Sequence, residues 1–475
     1  MRIPILEILS EDELNFIQEK ALGLIEEIGV YLPVESALNL MQDQGCEVDR
    51  QKQVVKIPRQ LVKESIKKIP HTVTLYSRDR KSKIDIGGDK THFGTVGFAT
   101  RMINGKESHS LTTDDLVQLT RLSDVMENVE VIMTLGQPTD VPQNISDRYQ
   151  WLISLENSNK PVLCQACGKK GASDAIKMGS IIAGGEEQLR KYPDMCLVMC
   201  TSSPLAFEKE YTEGMLEAAK FGLPVFIVSG PLASMNSPAT LAGTLTLTTA
   251  EELAAIVLTR LVNPTVPMIY ADWARTPDLR SGGVAFGSPD YALMNAASAQ
   301  IARHLGIPSS TGGIITDAKV ADAQAGYEKA LGCSILALSR INLICGMGVL
   351  ESEDSGSLEQ LVIDNEIVSM VKKFLEGMQI NEETAATDLI AKVGILGSFM
   401  KTKHTLSFFR KEIWIPQLSD KLRLDAWKNR GAKDTLERAR EIAQRKLKGY
   451  EGISLPEEVH SKLKKVIKNA EREIE

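Results

Sequence analysis

The first ninety residues alternate hydrophobic and polar positions in short helical and extended patterns. Between Glu11 and Ile28 apolar residues recur every three or four positions, which predicts an amphipathic helix that begins after Ser10. Further helices are predicted over 33–44 and 59–68, and strands over 54–57 and 72–77. We therefore expect residues 1–90 to form a small α+β appendage to a larger domain.

From residue 91 the pattern changes to a regular alternation of short apolar runs and longer helical stretches. The apolar runs that predict strands are 92–98, 129–135, 161–166, 194–200, 223–229, 266–271, 307–313 and 342–346. Helical spacing follows over 113–126, 145–156, 171–183, 208–221, 239–261, 289–305, 321–339 and 358–375. Eight such units predict an α/β fold, a (β/α)8 TIM barrel over residues 91–380. An open doubly wound sheet is the alternative, although no GxGxxG motif follows the first strand.

Residues 381–475 carry more charge and are predicted to form a helical extension. The whole chain is 43% hydrophobic and 25% charged, and its net charge of -7 is spread along it, which argues against a nucleic-acid surface. Apolar runs fall short of the ~20 residues that span a bilayer, and acidic residues near the N-terminus argue against a signal peptide. Seven cysteines, an odd number, predict free thiols in a reducing cytoplasm.

The residues at the predicted strand ends are the candidates for chemistry, because a (β/α)8 barrel collects its functional groups there. These ends supply Phe98, Thr100, Arg101, Gln137, Gln165, Thr201, Ser202, Ser203, Ser229, Asp272, Trp273, Arg275, Gly312, Gly313 and Asp317, and then residues 348–353. Histidine is missing from this set. Such a mouth suits the binding and positioning of a charged small molecule more than acid–base chemistry.

Trp273 and Arg275 close the strand over 266–271 and allow two interpretations. The tryptophan could pack as a lid on the loop of Arg280. Alternatively, its ring could offer a cation–π face to a cationic ligand while Arg275 binds the carboxylate of that ligand. The acidic residues after the last strand, Glu351, Glu353 and Asp354, are also consistent with a solvated loop.

No metal site is predicted. Cys164 and Cys167 form a single CxxC pair, whereas a structural zinc site usually needs four ligands. The six histidines are scattered without ligand spacing. Ser203 lacks the flanking glycines of a nucleophile elbow.

Several motifs resemble the trimethylamine methyltransferase family. They are Thr201-Ser-Ser-Pro-Leu, Ser237-Pro-Ala-Thr-Leu-Ala-Gly, Gly287-Ser-Pro, Ile307-Pro-Ser with Gly312-Gly313, Thr316-Asp-Ala-Lys-Val, Asp322-Ala-Gln-Ala-Gly-Tyr-Glu-Lys, Gly346-Met-Gly-Val-Leu-Glu and Ser357-Leu-Glu-Gln-Leu-Val-Ile-Asp. The resemblance runs from about residue 10 to 470. It implies a barrel that passes a methyl group to the cobalt of a separate corrinoid protein, and a homo-oligomer.

One position departs from the family pattern. Where the resemblance places pyrrolysine, after the glycines, this chain has Ile314 or Ile315. The resemblance is therefore to the branch without pyrrolysine, which implies a quaternary amine substrate such as glycine betaine, proline betaine or carnitine. The resemblance further implies that no cofactor is bound tightly, because the partner supplies the corrinoid (cobalamin).

The chemistry of a quaternary ammonium group agrees with this branch. Its leaving group is already a neutral amine, so no general acid is needed, and the partner's cobalt(I) is the nucleophile, so we expect no catalytic residue. We expect substrate binding at Phe98, Arg101, Trp273, Arg275, Gly312, Gly313, Ile314, Ile315, Asp317 and Glu351. The alternatives are a methyltransferase for another methylated amine and a catalytically silent betaine-binding component.

Overall fold

Eight parallel strands surround the centre of the molecule in the computed structural model, which describes residues 4–453 and 455–473. They are β1 His92–Thr95, β2 Ile132–Met133, β3 Val162–Gln165, β4 Met195–Ser202, β5 Val225–Ser229, β6 Met268–Asp272, β7 Ser309–Gly312 and β8 Leu343–Met347. Each strand from β2 to β8 pairs in parallel with the next. Strand β8 pairs with β1, and a parallel bridge from Gly94 to Val131 joins β1 to β2. The ring is closed, which confirms the barrel and excludes the open sheet.

A helix follows each strand and covers its outer side. These helices are α1 Thr113–Val125, α2 Ser146–Asn157, α3 Gly168–Ala183, α4 Lys209–Phe221, α5 Leu241–Val262, α6 Pro289–Leu305, α7 Ala323–Leu338 and α8 Leu358–Glu376. Local sequence explains the bounds of α6, where the Ser288 side chain accepts a hydrogen bond at the N-terminus and Gly306 ends the helix at φ +72°. Because helices cover one side and the barrel interior covers the other, strands such as β6 are buried along their whole length.

The N-terminal part contributes a hairpin that closes the barrel end opposite the strand C-termini. Its strands, Thr72–Tyr76 and Lys83–Gly87, are antiparallel. Val73, Leu75 and Ile86 are fully buried in the apolar cluster of the barrel interior. The apolar pattern predicted the first of these strands. The second strand is as long as the first, but the charged residues Lys83 and Asp85 interrupt it, so its pattern is too polar to be recognised.

The remaining N-terminal elements lie along the barrel wall. They are helices Glu11–Glu27, Glu35–Asp43 and Arg59–Ile66 and strands Val30–Tyr31, Glu47–Asp49 and Val54–Lys56. Helix Glu11–Glu27 packs on α5 and α6. Helix α5 is the one helix of the described residues that is long and apolar enough to cross a membrane, and most of it is buried inside the fold. Packing against strands on one side and N-terminal helices on the other explains its apolar composition.

The C-terminal part wraps around the outside of the barrel. Its helices are Glu382–Ala385, Thr387–Val393, Lys403–Glu412, Leu424–Asn429, Thr435–Lys448 and Glu457–Arg472. Helix Thr435–Lys448 packs on α1 and α8, and helix Glu457–Arg472 packs on α2 and α3. Residues 379–430, here called the arm, leave the end of α8 and are largely exposed.

Short elements complete the loops. They are strands Arg101–Asn104, Glu107–Ser110, Ala206–Phe207, Val349–Leu350 and Ser355–Gly356, the 3-10 turn Gln143–Ile145 and helix Glu186–Lys191.

Candidate functional site

A cavity of about 1000 Å³ opens at the C-terminal ends of the barrel strands. Its aromatic lining residues are Phe98, Tyr211, Trp273 and Phe286, and its acidic ones are Asp278, Asp290, Asp317, Glu328, Glu351, Glu353 and Asp354. The basic residues in the described lining are fewer, namely Arg275, Arg280 and Lys319. An excess of carboxylates beside aromatic faces suits a cationic ligand.

Trp273 and Glu353 form a buried pair in the cavity wall. The indole Nε1 of Trp273 donates a hydrogen bond of 3.1 Å to Glu353 Oε1, and both residues are 4% exposed. The Trp273 ring also packs edge-to-face on Phe226, at 5.9 Å between centroids. Trp273 is therefore held in the cavity wall.

Burial controls the charge of Glu353. It raises the pKa of this carboxyl to about 7, although the hydrogen bond from Trp273 and the positive charge of Arg275 act in the opposite direction. A buried carboxylate without a matching ion pair is costly to keep charged. A cationic ligand in the cavity would stabilise its ionised form.

The backbone before Glu353 is strained in a way that directs the side chain inward. Glu351, Ser352 and Glu353 have φ of 52°, 56° and 78°, three consecutive left-handed non-glycine residues. The N–H groups of Glu351 and Ser352 donate to the carbonyls of Ala318 and Thr316 at 2.8 and 2.9 Å, which holds this turn in place. Residues in this region of φ/ψ space cost free energy and concentrate at functional sites.

Arg275 offers an unused guanidinium. Its side chain lines the cavity and lies 5.6 Å from the centre of the Phe286 ring. Within the described residues this side chain makes no hydrogen bond or ion pair, and its Nε is buried without a partner. Such a group suits the carboxylate of a ligand, to which it could donate two hydrogen bonds.

Asp317 lines the cavity and fastens its wall. One carboxylate oxygen accepts hydrogen bonds from Phe286 N and Ser352 Oγ at 3.0 and 2.8 Å, and the other accepts from Gly287 N at 2.9 Å. Glu351 also lines the cavity, where it accepts a hydrogen bond from Ser355 Oγ. The carboxylate of Asp317 is therefore occupied by the loops that it joins.

Five of the predicted site residues lie outside the described cavity lining. Arg101 lies beyond the rim, where its Nη1 is 3.9 Å from Glu351 Oε1. The side chain of Ile314 is buried among the outer helices, and that of Ile315 is buried in the barrel interior. Gly313 leaves room for the side chains of Leu336 and Ile344, because a Cβ at this position would lie 2.5 and 2.7 Å from them.

Gly312 allows a close approach beneath the cavity. A Cβ at this position would lie 2.3 Å from the Ile315 side chain, 3.0 Å from Trp273 Nε1 and 3.0 Å from the Tyr291 hydroxyl. A side chain at this position would force the Ile315 side chain to move and would press on the indole that holds Glu353.

Buried acids on α5 anchor the strand ends under the cavity. Glu251 accepts hydrogen bonds from Thr201 Oγ1, Ser203 Oγ, Ser229 Oγ and Leu205 N, at 2.7 to 2.9 Å. The hydroxyl-rich strand ends predicted from the sequence thus serve partly as donors to a buried carboxylate. The sequence analysis missed Glu251 because an acidic residue inside an apolar helix shows its partners only in the folded chain.

Tyr211, Phe286 and Glu353 complete the cavity without being predicted as site residues. Tyr211 belongs to α4 and Phe286 precedes α6, so neither ends a strand. Glu353 was considered as a solvated loop residue, but burial excludes that interpretation. The run of acids after the last strand was the only available signal.

In the part of the chain that the structure describes, no group of three or more His, Cys, Asp or Glu side chains is arranged to hold a metal ion. Each of the seven cysteines is free. Cys164 is buried, and its thiol donates a hydrogen bond to Gln150. Cys164 and Cys167 are therefore part of the packing around β3.

Fold and cavity together define a (β/α)8-barrel protein with a cavity at the strand ends. The chain belongs to the trimethylamine methyltransferase (MTTB) family, whose match spans residues 1–475. It is therefore a methyltransferase.

Among its relatives, the trimethylamine methyltransferase MttB of Desulfitobacterium hafniense strain DCB-2 is 32% identical, over 98% of this chain and 94% of that protein. The glycine betaine methyltransferase of D. hafniense strain Y51 is also 32% identical, over 99% of this chain and 98% of that protein. The crystal structure of the Methanosarcina barkeri monomethylamine methyltransferase (MtmB) matches with 10% identity and a TM-score of 0.49, covering 95% of this chain and 97% of that one.

Proposed function

We propose that this methyltransferase removes a methyl group from a quaternary amine of the betaine class, such as glycine betaine, proline betaine or carnitine, and passes it to the cobalt(I) of a separate corrinoid protein. The observation that carries the proposal is the buried Glu353 carboxylate against the Trp273 indole in a cavity with aromatic walls. The similarity to a glycine betaine methyltransferase supports the same substrate class.

The isoleucines at the pyrrolysine place argue for a quaternary substrate. Of the two, only Ile315 packs in the barrel interior, in one apolar cluster with Trp273 and Tyr291. We infer that Ile315 takes the place of the family's pyrrolysine. An aliphatic side chain cannot act on a tertiary amine as a reactive group would, so this chain is suited to a substrate that needs no such activation.

A quaternary ammonium group explains the polar and aromatic composition of the cavity. It has no N–H to donate, so aromatic faces and a carboxylate are the groups that recognise it. Glu353 supplies the charge, Trp273, Phe98 and Phe286 supply the faces, and Arg275 binds the carboxylate at the other end of a betaine. These groups orient the N-methyl toward the open mouth.

The reaction requires little further chemistry from this chain. As the methyl group leaves, the electron pair of the broken C–N bond stays on nitrogen and the product is a neutral tertiary amine. The corrinoid cobalt(I), when bound at the mouth, would supply the nucleophile. Positioning reacting groups in this way lowers the barrier without proton transfer.

The mouth can admit a partner because part of its rim is exposed. Within the candidate rim ranges 272–283 and 348–357, residues 279–283 and Asp354 are exposed and the others are half-buried or buried. The Arg280 side chain is 92% exposed. It forms an ion pair only with its neighbour Asp278, at 3.1 Å, among the described residues. This arginine is free to contact a docking protein.

The proposal is tested by mixing the protein with a reduced corrinoid protein and each member of a panel of methylated amines. We expect loss of the cobalt(I) spectrum and formation of the demethylated amine with one or more betaines. Conversion of trimethylamine alone would contradict the proposal and support another methylated amine as substrate. Betaine binding without conversion would instead indicate a catalytically silent binding component.

Trp273→Ala should weaken betaine binding by roughly tenfold or more, because a desolvated cation–π contact is worth about 2 kcal/mol and 1.4 kcal/mol is tenfold. Calorimetry on the folded variant measures the effect. Trp273→Phe is the matched variant, which keeps an aromatic face but loses the hydrogen bond to Glu353. Unchanged affinity in Trp273→Ala would place the ammonium group elsewhere.

Arg275→Ala should discriminate between substrates. The loss of its guanidinium should weaken binding of carboxylate-bearing betaines about tenfold or more, the usual size of a charge-assisted contact. Choline, which has the same ammonium group but no carboxylate, should bind as before. Equal losses for glycine betaine and choline in a binding assay would argue that Arg275 only shapes the cavity.

Arg280→Glu should slow methyl transfer to a protein-bound corrinoid more than to excess free cobalamin. A change at an exposed rim charge acts mainly on the association rate and its salt dependence. Transfer rates to the two acceptors, measured at low and high salt, provide the comparison. If both acceptors slow equally, the arginine does not contact the partner.

A further inference from the structure

Two buried carboxyl groups lie beneath the part of the cavity wall that carries Trp273 and Arg275. Glu252 belongs to α5 and is 0% exposed, and Asp272 ends β6 and is 1% exposed. Among the residues that the structure describes, neither acid forms a hydrogen bond or ion pair with a lysine or arginine. A desolvated carboxylate without a cation costs free energy, so this pair needs another source of stabilisation.

The alternation of side chains along β6 directs Asp272 toward the helices. Ala271 and Trp273 pack in the barrel interior, whereas Tyr270 packs in the layer between the barrel and its outer helices. Asp272 follows Tyr270 by two residues and therefore lies on the same outer side of the strand. Helix α5 contacts β6 on this side.

Glu252 reaches the same place from α5. Its Oε1 accepts a hydrogen bond of 3.1 Å from Ser229 N, and Ala271 N also donates to this carboxyl. Ser229 is the residue that pairs with Asp272 between β5 and β6, and Ala271 is the chain neighbour of Asp272. The two carboxyl groups are therefore adjacent at the ends of these strands.

Each of the two acids has one oxygen without a partner. Glu252 Oε2 and Asp272 Oδ2 are buried and take part in no hydrogen bond within the described chain. The other oxygen of Asp272, Oδ1, accepts a hydrogen bond of 2.6 Å from Ala274 N. Buried polar atoms are nearly always paired, and a protonated carboxyl can donate to an ionised one. One proton between the two acids would pair both orphaned oxygens.

The electrostatic surroundings favour such a proton. Burial raises the pKa of Asp272 to about 7 and that of Glu252 well above its usual value, and the negative charge of Asp272 raises the pKa of Glu252 further. The other titratable groups that interact with the pair are Glu251 on α5, Tyr270 on β6, Tyr291 on α6 and Cys200 on β4. None of these groups supplies a positive charge.

We propose that Glu252 and Asp272 share one proton, with the O–H of Glu252 donating to the Asp272 carboxylate, and that this acid pair positions the ends of β5 and β6 under the cavity. The pair then carries one negative charge instead of two. Neither acid lines the cavity, so both are positioning residues.

The backbone connects the acid pair to the ligand side of the wall. Asp272 holds Ala274 N, at the centre of the turn that carries both cavity-lining side chains. Trp273 N donates to Ser229 O at 2.8 Å, and Ser229 N donates to Glu252. Loss of the shared proton would leave two carboxylates that repel each other between the strand ends, and would displace this turn. The consequence for betaine binding rests on the proposed function.

The first test detects the proton by infrared spectroscopy. At about pH 8 an ordinary carboxyl is ionised, so we expect the wild type to show a protonated-carboxyl C=O stretch that Glu252→Gln lacks. Glu359→Gln is the matched control, because Glu359 is a buried glutamate that is paired with Arg440 at 2.9 Å, and it should leave this band unchanged. A spectrum that Glu252→Gln does not alter would overturn the proposal.

The second test counts the proton through stability. The unfolded chain releases it above the usual glutamate pKa of 4.5, whereas the folded chain retains it, so stability falls as the pH rises until the pair ionises. In denaturant titrations over this range, the unfolding constant of the wild type should rise about tenfold more per pH unit than that of Glu252→Gln. Equal pH dependence in the two proteins would contradict a shared proton.

Both measurements are repeated in sodium, potassium and N-methylglucamine chloride at equal ionic strength. We expect the same band and the same stability in all three salts. Stability that requires an alkali cation would mean that an ion joins the two oxygens, which would overturn the proposal.

The third test concerns positioning. Glu252→Gln keeps the acceptor for Ser229 N and offers an N–H to Asp272, so its betaine affinity at neutral pH should stay within about threefold of that of the wild type. At pH values beyond the plateau set by Glu353, wild-type affinity should fall by up to about tenfold per pH unit, and the variant should show no such fall. Identical alkaline profiles would refute the positioning role. The first two tests use no amine, so they decide on the proton even if the protein binds no betaine.

Discussion

Glu353→Gln should weaken binding of a betaine by at least thirtyfold. Removing one member of a desolvated charge pair costs about 2–5 kcal/mol, and 1.4 kcal/mol is tenfold. Glu353 is 4% exposed beside Trp273, so water cannot replace its charge. Asp290→Asn is the matched control, because this carboxylate lines the exposed rim and should change affinity less than about threefold. Calorimetry on both variants measures the difference.

The same residue should make binding depend on pH. Burial raises the pKa of Glu353 to about 7, so in the free protein the carboxyl is protonated and neutral below that pH. A cation binds the ionised form, so affinity should rise by up to about tenfold per pH unit toward pH 7 and level off above it. In Glu353→Gln this dependence should disappear. A steep profile that survives the substitution would assign the titration to another group.

Lys329→Met should destabilise the barrel by about 3–5 kcal/mol, the usual cost of breaking a buried ion pair by removing one partner. Lys329 and Asp364 are both 0% exposed, and Lys329 Nζ donates to Asp364 Oδ2 at 2.8 Å. The same ammonium donates to the carbonyls of Ile314 and Gly346 at 2.8 and 3.2 Å. Its loss would leave Asp364 buried without a counter-ion, held only by hydrogen bonds from Gly348 N and Gln360 Nε2, and would leave the two carbonyls without this donor.

The melting temperature should fall by on the order of 10 °C, and calorimetric scans at fixed protein concentration would measure the shift. Lys329→Met/Asp364→Asn removes both charges and should recover part of the loss. A single variant as stable as the wild type would mean that the ion pair and the two carbonyl contacts of Lys329 add no net stability to the fold.

The barrel could be predicted from the sequence because its pattern is local. Short apolar runs alternate with helical stretches, and caps such as Ser288 and Gly306 mark the ends of α6 within a residue or so. Strand β7 ends at Gly312, as the pair of glycines predicted. The hairpin strands Lys83–Gly87, Arg101–Asn104 and Glu107–Ser110 were missed, since they are short and two of them are mostly polar.

The candidate site could be predicted only in part. Five of the predicted residues follow strands and lie in the cavity lining. They are Phe98, Trp273, Arg275, Asp317 and Glu351. Strand β7 ends at Gly312, and residues 313–315 follow it. The side chains of Ile314 and Ile315 pack in apolar clusters, because the chain turns back into the core after β7. The position of a residue after a strand shows at which end of the barrel the residue lies. It does not show in which direction the side chain points.

Sequence alone therefore determined the fold and the family resemblance, both of which depend on the order and type of residues. Only the tertiary structure decided that Glu353 is buried against Trp273 and that the Asp317 carboxylate is occupied by loops. It also decided that the arm exposes an apolar surface. The physical reason is that burial and hydrogen bonding depend on residues distant in the chain, such as positions 273 and 353, which come together only when the barrel closes.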